Sequence, residues 1–345
     1  MTSAFPSPAK TGASSIDDSG VGCHVDPATC EPRGWLDKDR TVREIAKYAG
    51  FLAQEFGEEV DDWVTLNEPF ALLLPGYLLP SEERTNPPAR QLAVDDAKIV
   101  LAGLVEGHAR IYDAIHAHDD TARVGVVYNL TPARPKDPDN PLDVQAAENF
   151  FYIWNDVYMD AVALGRFDHD IDGTAEERED LKDRMDFVGL NYYTRVTVEG
   201  IDRSLFPALS PLLTLNPLTL TLWEDYPRGL YEMAKHIDEK YGVPIIITEN
   251  GTFGPDDIRS SFLVRHLTWL ARAIAEGVPV EGYFFWSLID NIEWNHGYGL
   301  RFGLYEIDPD DPQKIRTPRE VAGVYGGIAE ANKISEALQT QYPAE

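Results

Sequence analysis

The 345-residue chain predicts an α/β fold of the (β/α)8 TIM-barrel kind, organised around a parallel sheet. Three observations carry that prediction. Apolar, β-branched runs alternate with amphipathic stretches at the spacing of strand–helix crossover units. The strand-like runs end, one after another, in polar or aromatic groups: Asn67-Glu68, Asn129, Asn191 to Tyr193, Glu249-Asn250 and Trp286. Chemistry gathered at the C-terminal ends of successive strands is the habit of a barrel. A doubly wound sheet would gather its site at one switch point, often with a glycine-rich phosphate loop, and no such loop is present.

Taken in order, residues 1–32 are rich in Ser, Gly, Pro and Asp without hydrophobic period, which predicts a poorly ordered N-terminal segment. Residues 33–345 form the predicted barrel domain. From Thr41 the apolar positions Val42, Ile45, Ala49, Leu52 and Phe56 mark one helical face, stopped at Gly57. A strand follows and ends in Asn67-Glu68-Pro69. After a proline-bearing loop, a helix is expected over about 94–116, a strand over 123–129 and a helix over about 142–163. A second helical patch is expected near 176–184, ahead of the strand 186–193. A helix over 230–241 leads into the strand ending at Glu249. A helix over 261–276, a strand over 280–288 and a last helix over about 319–338 complete the order.

Charge narrows the function classes. There are 58 acidic against 30 basic residues, a formal charge of −28, with 32 Asp, 26 Glu, 20 Arg and only 10 Lys. No basic patch exists to neutralise phosphates, so nucleic acid is excluded as a partner. A Lys-poor, Asp-rich surface stays soluble in concentrated salt, which points to a halophilic source. Cys23 and Cys30 alone make neither a metal site nor a disulfide framework. The N-terminus lacks a charged region followed by an apolar core, as a secretory signal would have. The longest apolar stretch, 204–223, contains Pro207, Pro211 and Pro217 and reads as a loop rather than a membrane span. A soluble, cytoplasmic protein is the expectation.

Two carboxylates stand out. Val243-Pro-Ile-Ile-Ile is a run suited to a fully buried strand, and it opens into Thr248-Glu249-Asn250-Gly251. Val60 to Pro69 likewise ends in Asn67-Glu68-Pro69. Either acid alone could be a polar strand stop. Two of them at the tips of two buried strands are the equipment for cleaving a glycosidic bond.

Thr65-Leu-Asn-Glu-Pro69, Asn191-Tyr-Tyr193, Ile247 to Gly251 and Trp286 to Trp294 together resemble glycoside hydrolase family 1, the β-glucosidases, β-galactosidases and related retaining enzymes. The resemblance runs from about Arg33 to Ile334, includes Arg301-Phe-Gly-Leu304 and Asp308, and keeps the motifs in family order. It implies Glu68 as general acid/base on the fourth barrel strand and Glu249 as nucleophile on the seventh, about 5–5.5 Å apart in a retaining enzyme. It further implies Asn67 as the 2-hydroxyl contact and Tyr193 as the nucleophile's hydrogen-bond partner, with Asn191 beside them. Glu293 and Trp294 would grip the glycone and Trp286 would form its platform; taken alone, the two tryptophans are equally core aromatics. Glu293 argues against phosphorylated sugars. The negative charge of Glu249 is expected to raise the pKa of Glu68. No cofactor or metal is implied.

A family member carries three further strand–helix units before the helix at Thr41, bearing a Gln, an Arg and a His-Trp pair. None of these motifs lies in residues 1–32. The resemblance thus implies an incomplete barrel with strands four to eight, lacking the Arg that would keep Glu249 ionised. A late start site, a gene remnant and a half-barrel completed by another chain, including a homo-oligomer, all stay open. The alternative to a β-glycosidase is therefore an inactive remnant or sugar-binding half-barrel. Asp168-x-Asp170-x-Asp172-Gly173-x5-Glu179 also fits a calcium-loop pattern, weakened by Ala175 and by the absence of a partner loop.

Overall fold

The structure is a computed structural model that describes residues 34–82, 84–201, 204–211, 213–214 and 223–344. The expected disordered segment and both cysteines lie outside the described residues. Five strands form one parallel sheet: β1 (Asp62–Asn67), β2 (Arg123–Asn129), β3 (Phe187–Asn191), β4 (Ile245–Asn250) and β5 (Val280–Phe285). Their spatial order is their chain order, and every neighbouring pair is parallel. Strands added on one side, without the reversal that makes a switch point, are how a barrel winds. Among the described residues β1 and β5 are the sheet's edges.

Burial follows that order. All of β3 and the five residues from Val124 to Tyr128 in β2 are buried, as central strands covered on both faces must be. The edge strands retain exposed apolar side chains, Val64 and Phe284. Gly189 is glycine because a β-carbon there would press into Val127 and Thr248 of the flanking strands. Helices supply the layer against the sheet: α1 (Lys38–Phe56), α2 (Val94–His116), α3 (Pro141–Phe151), α4 (Val157–Leu164), α5 (Arg228–Tyr241) and α6 (Asp256–Ala275). Val100, Leu104, Val126, Leu190, Met233 and Ile247 share the main core between them. No helix among the described residues is long and apolar enough to cross a membrane.

Three expected elements differ. The helix over 142–163 is interrupted by a π-turn at Tyr152–Asp156. There Asn155 turns inward, accepting from the Thr131 amide and donating to its carbonyl, while Trp154 Nε1 donates to the Asn129 carbonyl. The patch near 176–184 is not helical; Glu176–Glu177 pairs antiparallel with Arg166–Phe167 after the left-handed Gly165 closes α4. The last helix breaks at left-handed Asn332 into α7 (Glu320–Ala331) and α8 (Glu336–Gln341). The stretch 204–223 includes a 3-10 turn at Pro207–Leu209, and most of its remainder lies outside the described residues.

One ion pair ties the segment after β5 to the body. Arg319 grips Asp290 through two hydrogen bonds of 2.7 and 3.0 Å, and Asp290 also accepts from the Gly303 amide. The Asp290 side chain is fully buried. Removing one partner of such a pair leaves a buried charge unmet, at about 3–5 kcal/mol. Asp290→Ala is therefore expected to lower the urea midpoint by that much stability. A loss below about 0.5 kcal/mol would show that this pair does not anchor the segment.

Candidate active site

The C-terminal ends of the five strands surround a cavity of about 370 Å³, lined among others by Asn67, Glu68, Tyr193, Glu249, Trp286, Glu293 and Trp294. Sheet register brings them there. Asn129 of β2 pairs with Asn191 of β3, which pairs with Glu249 of β4, so one row crosses the sheet at its chemical end. Register irregularities occur between Val64 and Asn67, between Leu190 and Asn191, and between Tyr283 and Phe285. Such bulges re-aim side chains at the rim of a sheet.

Glu68 sits one residue past β1 with a left-handed φ of 47° and opens a short helix with Pro69 at its first position. A non-glycine residue held there is strained, and strain of this kind collects at functional sites. Its amide donates to the Val127 carbonyl at 2.9 Å. Glu249 is the penultimate residue of β4. The Gly251 that follows cannot be larger, since a β-carbon would collide with the Trp286 carbonyl oxygen. Asn250 is locked from beneath: its Nδ2 donates to the Tyr192 carbonyl at 2.7 Å and Tyr283 Oη donates to its Oδ1 at 2.8 Å.

Asn191 joins the two carboxylates' strands. Fully buried, it donates to Glu68 Oε1 at 2.9 Å and to Asn67 Oδ1 at 3.2 Å, and accepts from Thr248 Oγ1 at 2.7 Å. Tyr193 Oη donates to Glu249 Oε2 at 2.5 Å. Burial keeps that phenol protonated, with its pKa well above the usual value.

Burial, and then the charge of Glu68, push Glu249 up to about 7, against the hydrogen bonds from Tyr193 and Asn191. Glu293 is also raised, by burial, with Arg84 opposing that shift.

All eight residues singled out in the sequence lie at this end of the sheet. Seven line the cavity; Asn191 stands beneath them as a brace. Sequence reasoning missed Arg84 in the loop after Glu68. Nor did it single out Trp223, whose ring lies 4.8 Å from that of Tyr193, or Asn291 and Phe302, which also line the cavity. The motif 301–304 was a signal for Phe302; Arg84 left none in local periodicity. The calcium-like loop is closed on itself: Asp168 is buried and accepts from Tyr152 Oη and from the Asp172 and Gly173 amides.

The model of glycosyl hydrolase family 1 matches residues 24–334. The chain belongs to that family. It is 33% identical over 343 residues to the beta-galactosidase of Pyrococcus woesei, with 91% of this chain and 66% of that protein covered. Beta-glucosidase A of Thermotoga maritima is 29% identical, with 82% of this chain and 66% of that protein covered. The beta-glycosidase structure from Pyrococcus horikoshii superimposes with a TM-score of 0.78 at 32% identity, covering 90% of this chain and 70% of that one. The chain thus spans about two thirds of the length of these curated relatives, and its fold class is that of the family's TIM-barrel β-glycosidases.

The Glu249 shift has a consequence for stability. Its folded pKa lies above the usual 4.5, so the folded state holds the proton more tightly. The stabilisation is complete below about pH 4.5 and is lost as pH rises through about 7. Glu249→Gln removes this dependence. It is expected to be nearly neutral at about pH 4 and to stabilise by about 1–3 kcal/mol at about pH 8, read from denaturation midpoints. Equal effects at both pH values would contradict the burial argument.

Proposed function

We propose that this chain acts as a retaining β-glycosidase on terminal β-D-glucosides or β-D-galactosides. The observation that supports it most is the placement of Glu68 and Glu249 at the ends of β1 and β4, in one cavity and coupled electrostatically. In this reading ionised Glu249 attacks the anomeric carbon while Glu68 protonates the departing oxygen. The covalent glycosyl-enzyme then receives a water activated by Glu68, and net configuration is retained. Tyr193 holds the nucleophile's oxygen, and Asn67 stands beside the acid/base to meet the 2-hydroxyl. Trp286 and Trp294 offer ring faces to the sugar, and buried Glu293 accepts from its hydroxyls. Neutral sugars fit better than phosphorylated ones, since Glu293 would repel phosphate.

A second reading is a sugar-binding domain without turnover. It draws support from the span of about two thirds of the relatives. A barrel restricted to strands four to eight belongs to the same reading. The acidic composition recommends assays in concentrated KCl, as a halophilic protein would need.

Hydrolysis of nitrophenyl β-glucoside and β-galactoside decides between them. Turnover is expected to fall by at least about 10³-fold in Glu249→Gln, since no nucleophile remains. Because Glu249 must be ionised to attack, kcat/KM is expected to rise with pH through a midpoint near 7, where that residue titrates. Binding of the sugar with no hydrolysis at any pH would favour the second reading.

A further inference from the structure

Arg84 lies in the loop between β1 and α2 and has no role in the reaction described so far. Its guanidinium enters the cavity wall beside three carboxylates, Glu68, Glu249 and Glu293. Nη2 stands 3.9 Å from Glu68 Oε2, close enough for ion pairing and too far for a hydrogen bond. The guanidinium carbon lies 4.5 Å from the centroid of the Trp294 ring. Its charge also bears on Glu293. Asn295 Nδ2 donates to the Glu82 carbonyl at 3.1 Å, a second link between the same two loops. Arg84 therefore connects the loop that follows the acid/base to the loop that carries the sugar-gripping pair.

The guanidinium is not fully engaged. Nε is buried and has no acceptor among the described residues, although only 12% of the side chain is exposed. A buried N–H without a partner is costly and calls for an explanation. The same side chain lines a cavity shaped for an oxygen-rich ligand. A fixed positive charge also distinguishes ligands by charge, since a cation placed beside it is repelled while a hydroxyl or carbonyl oxygen is attracted.

We propose that Arg84 is a specificity-determining residue of this site, clasping the Glu68 and Trp294 loops and presenting its fixed positive charge to the oxygens of a neutral sugar. The sugar assignment rests on the glycosidase reading; the clasp does not.

Two measurements separate these claims. In the ligand-free protein, carbon-detected NMR titration of the Glu293 carboxyl reports the clasp. Burial, Arg84, Trp286 and Glu68 act on Glu293, and Glu293 in turn acts on Tyr193 and Glu249. Arg84→Gln is expected to move the Glu293 midpoint upward by about one pH unit, and Arg84→Lys by clearly less. No movement in a folded Arg84→Gln protein overturns the clasp. Calorimetric binding of a neutral gluco-configured lactam and of a basic iminosugar of the same configuration reports specificity. Arg84→Gln is expected to weaken the lactam about tenfold and to tighten the iminosugar. Equal changes for the two ligands, or none, overturn the specificity role. If neither ligand binds the wild-type chain, the glycosidase reading and the specificity role fall together, while the Glu293 titration still decides the clasp.

Discussion

The site depends on one buried amide. Asn191, at the end of β3, is the only described side chain that hydrogen-bonds both Glu68 of the β1 end and Thr248 beside Glu249 on β4. It is fully buried, so water cannot take its place. The amide has one acceptor oxygen and two donor hydrogens, so it can accept from Thr248 while donating to Asn67 and Glu68. Parallel pairing in chain order makes this bridge available, because β3 lies two strands from β1 and next to β4. The bulges at the strand ends then turn Asn67 and Glu249 toward the same space.

The same burial that fixes the geometry raises an electrostatic difficulty. Three carboxylates face one cavity, and the guanidinium of Arg84 is placed toward Glu68 and Glu293 rather than Glu249. Glu249 therefore keeps its proton up to about 7. Its hydrogen bonds from Tyr193 and Asn191 favour the ionised form but do not outweigh desolvation and the neighbouring charge. In the proposed role of Glu249, stability and nucleophilicity oppose each other, as they commonly do where a site is built from uncompensated polar groups.

Much of this was legible in the chain. β-branched runs ending in Asn-Glu or Thr-Glu-Asn-Gly placed both carboxylates on strand tips, and periodicity gave the helices over 94–116 and 230–241 closely. The π-turn at 152–156 was not legible, since inserting one residue into a turn leaves the apolar pattern nearly intact. The patch at 176–184 is charged except for Leu181, a composition that suits a solvated helix, but Leu181 is buried beside a chain that had already reversed at Gly165. The upward shift of Glu249 was beyond the sequence, because burial is its largest cause. Asn191 was legible from its motif, whereas its hydrogen bonds to Glu68 and Thr248 were not.

Trapping the covalent intermediate tests the central claim most directly. A 2-deoxy-2-fluoro β-glucoside with a good leaving group, or its galacto counterpart, slows breakdown of a glycosyl-enzyme more than its formation. Incubated with the wild-type chain in concentrated KCl at about pH 8, it should add the mass of one fluorosugar, and peptide mapping should place it on Glu249. An unlabelled protein that binds the sugar, or a label on any other residue, would contradict the account.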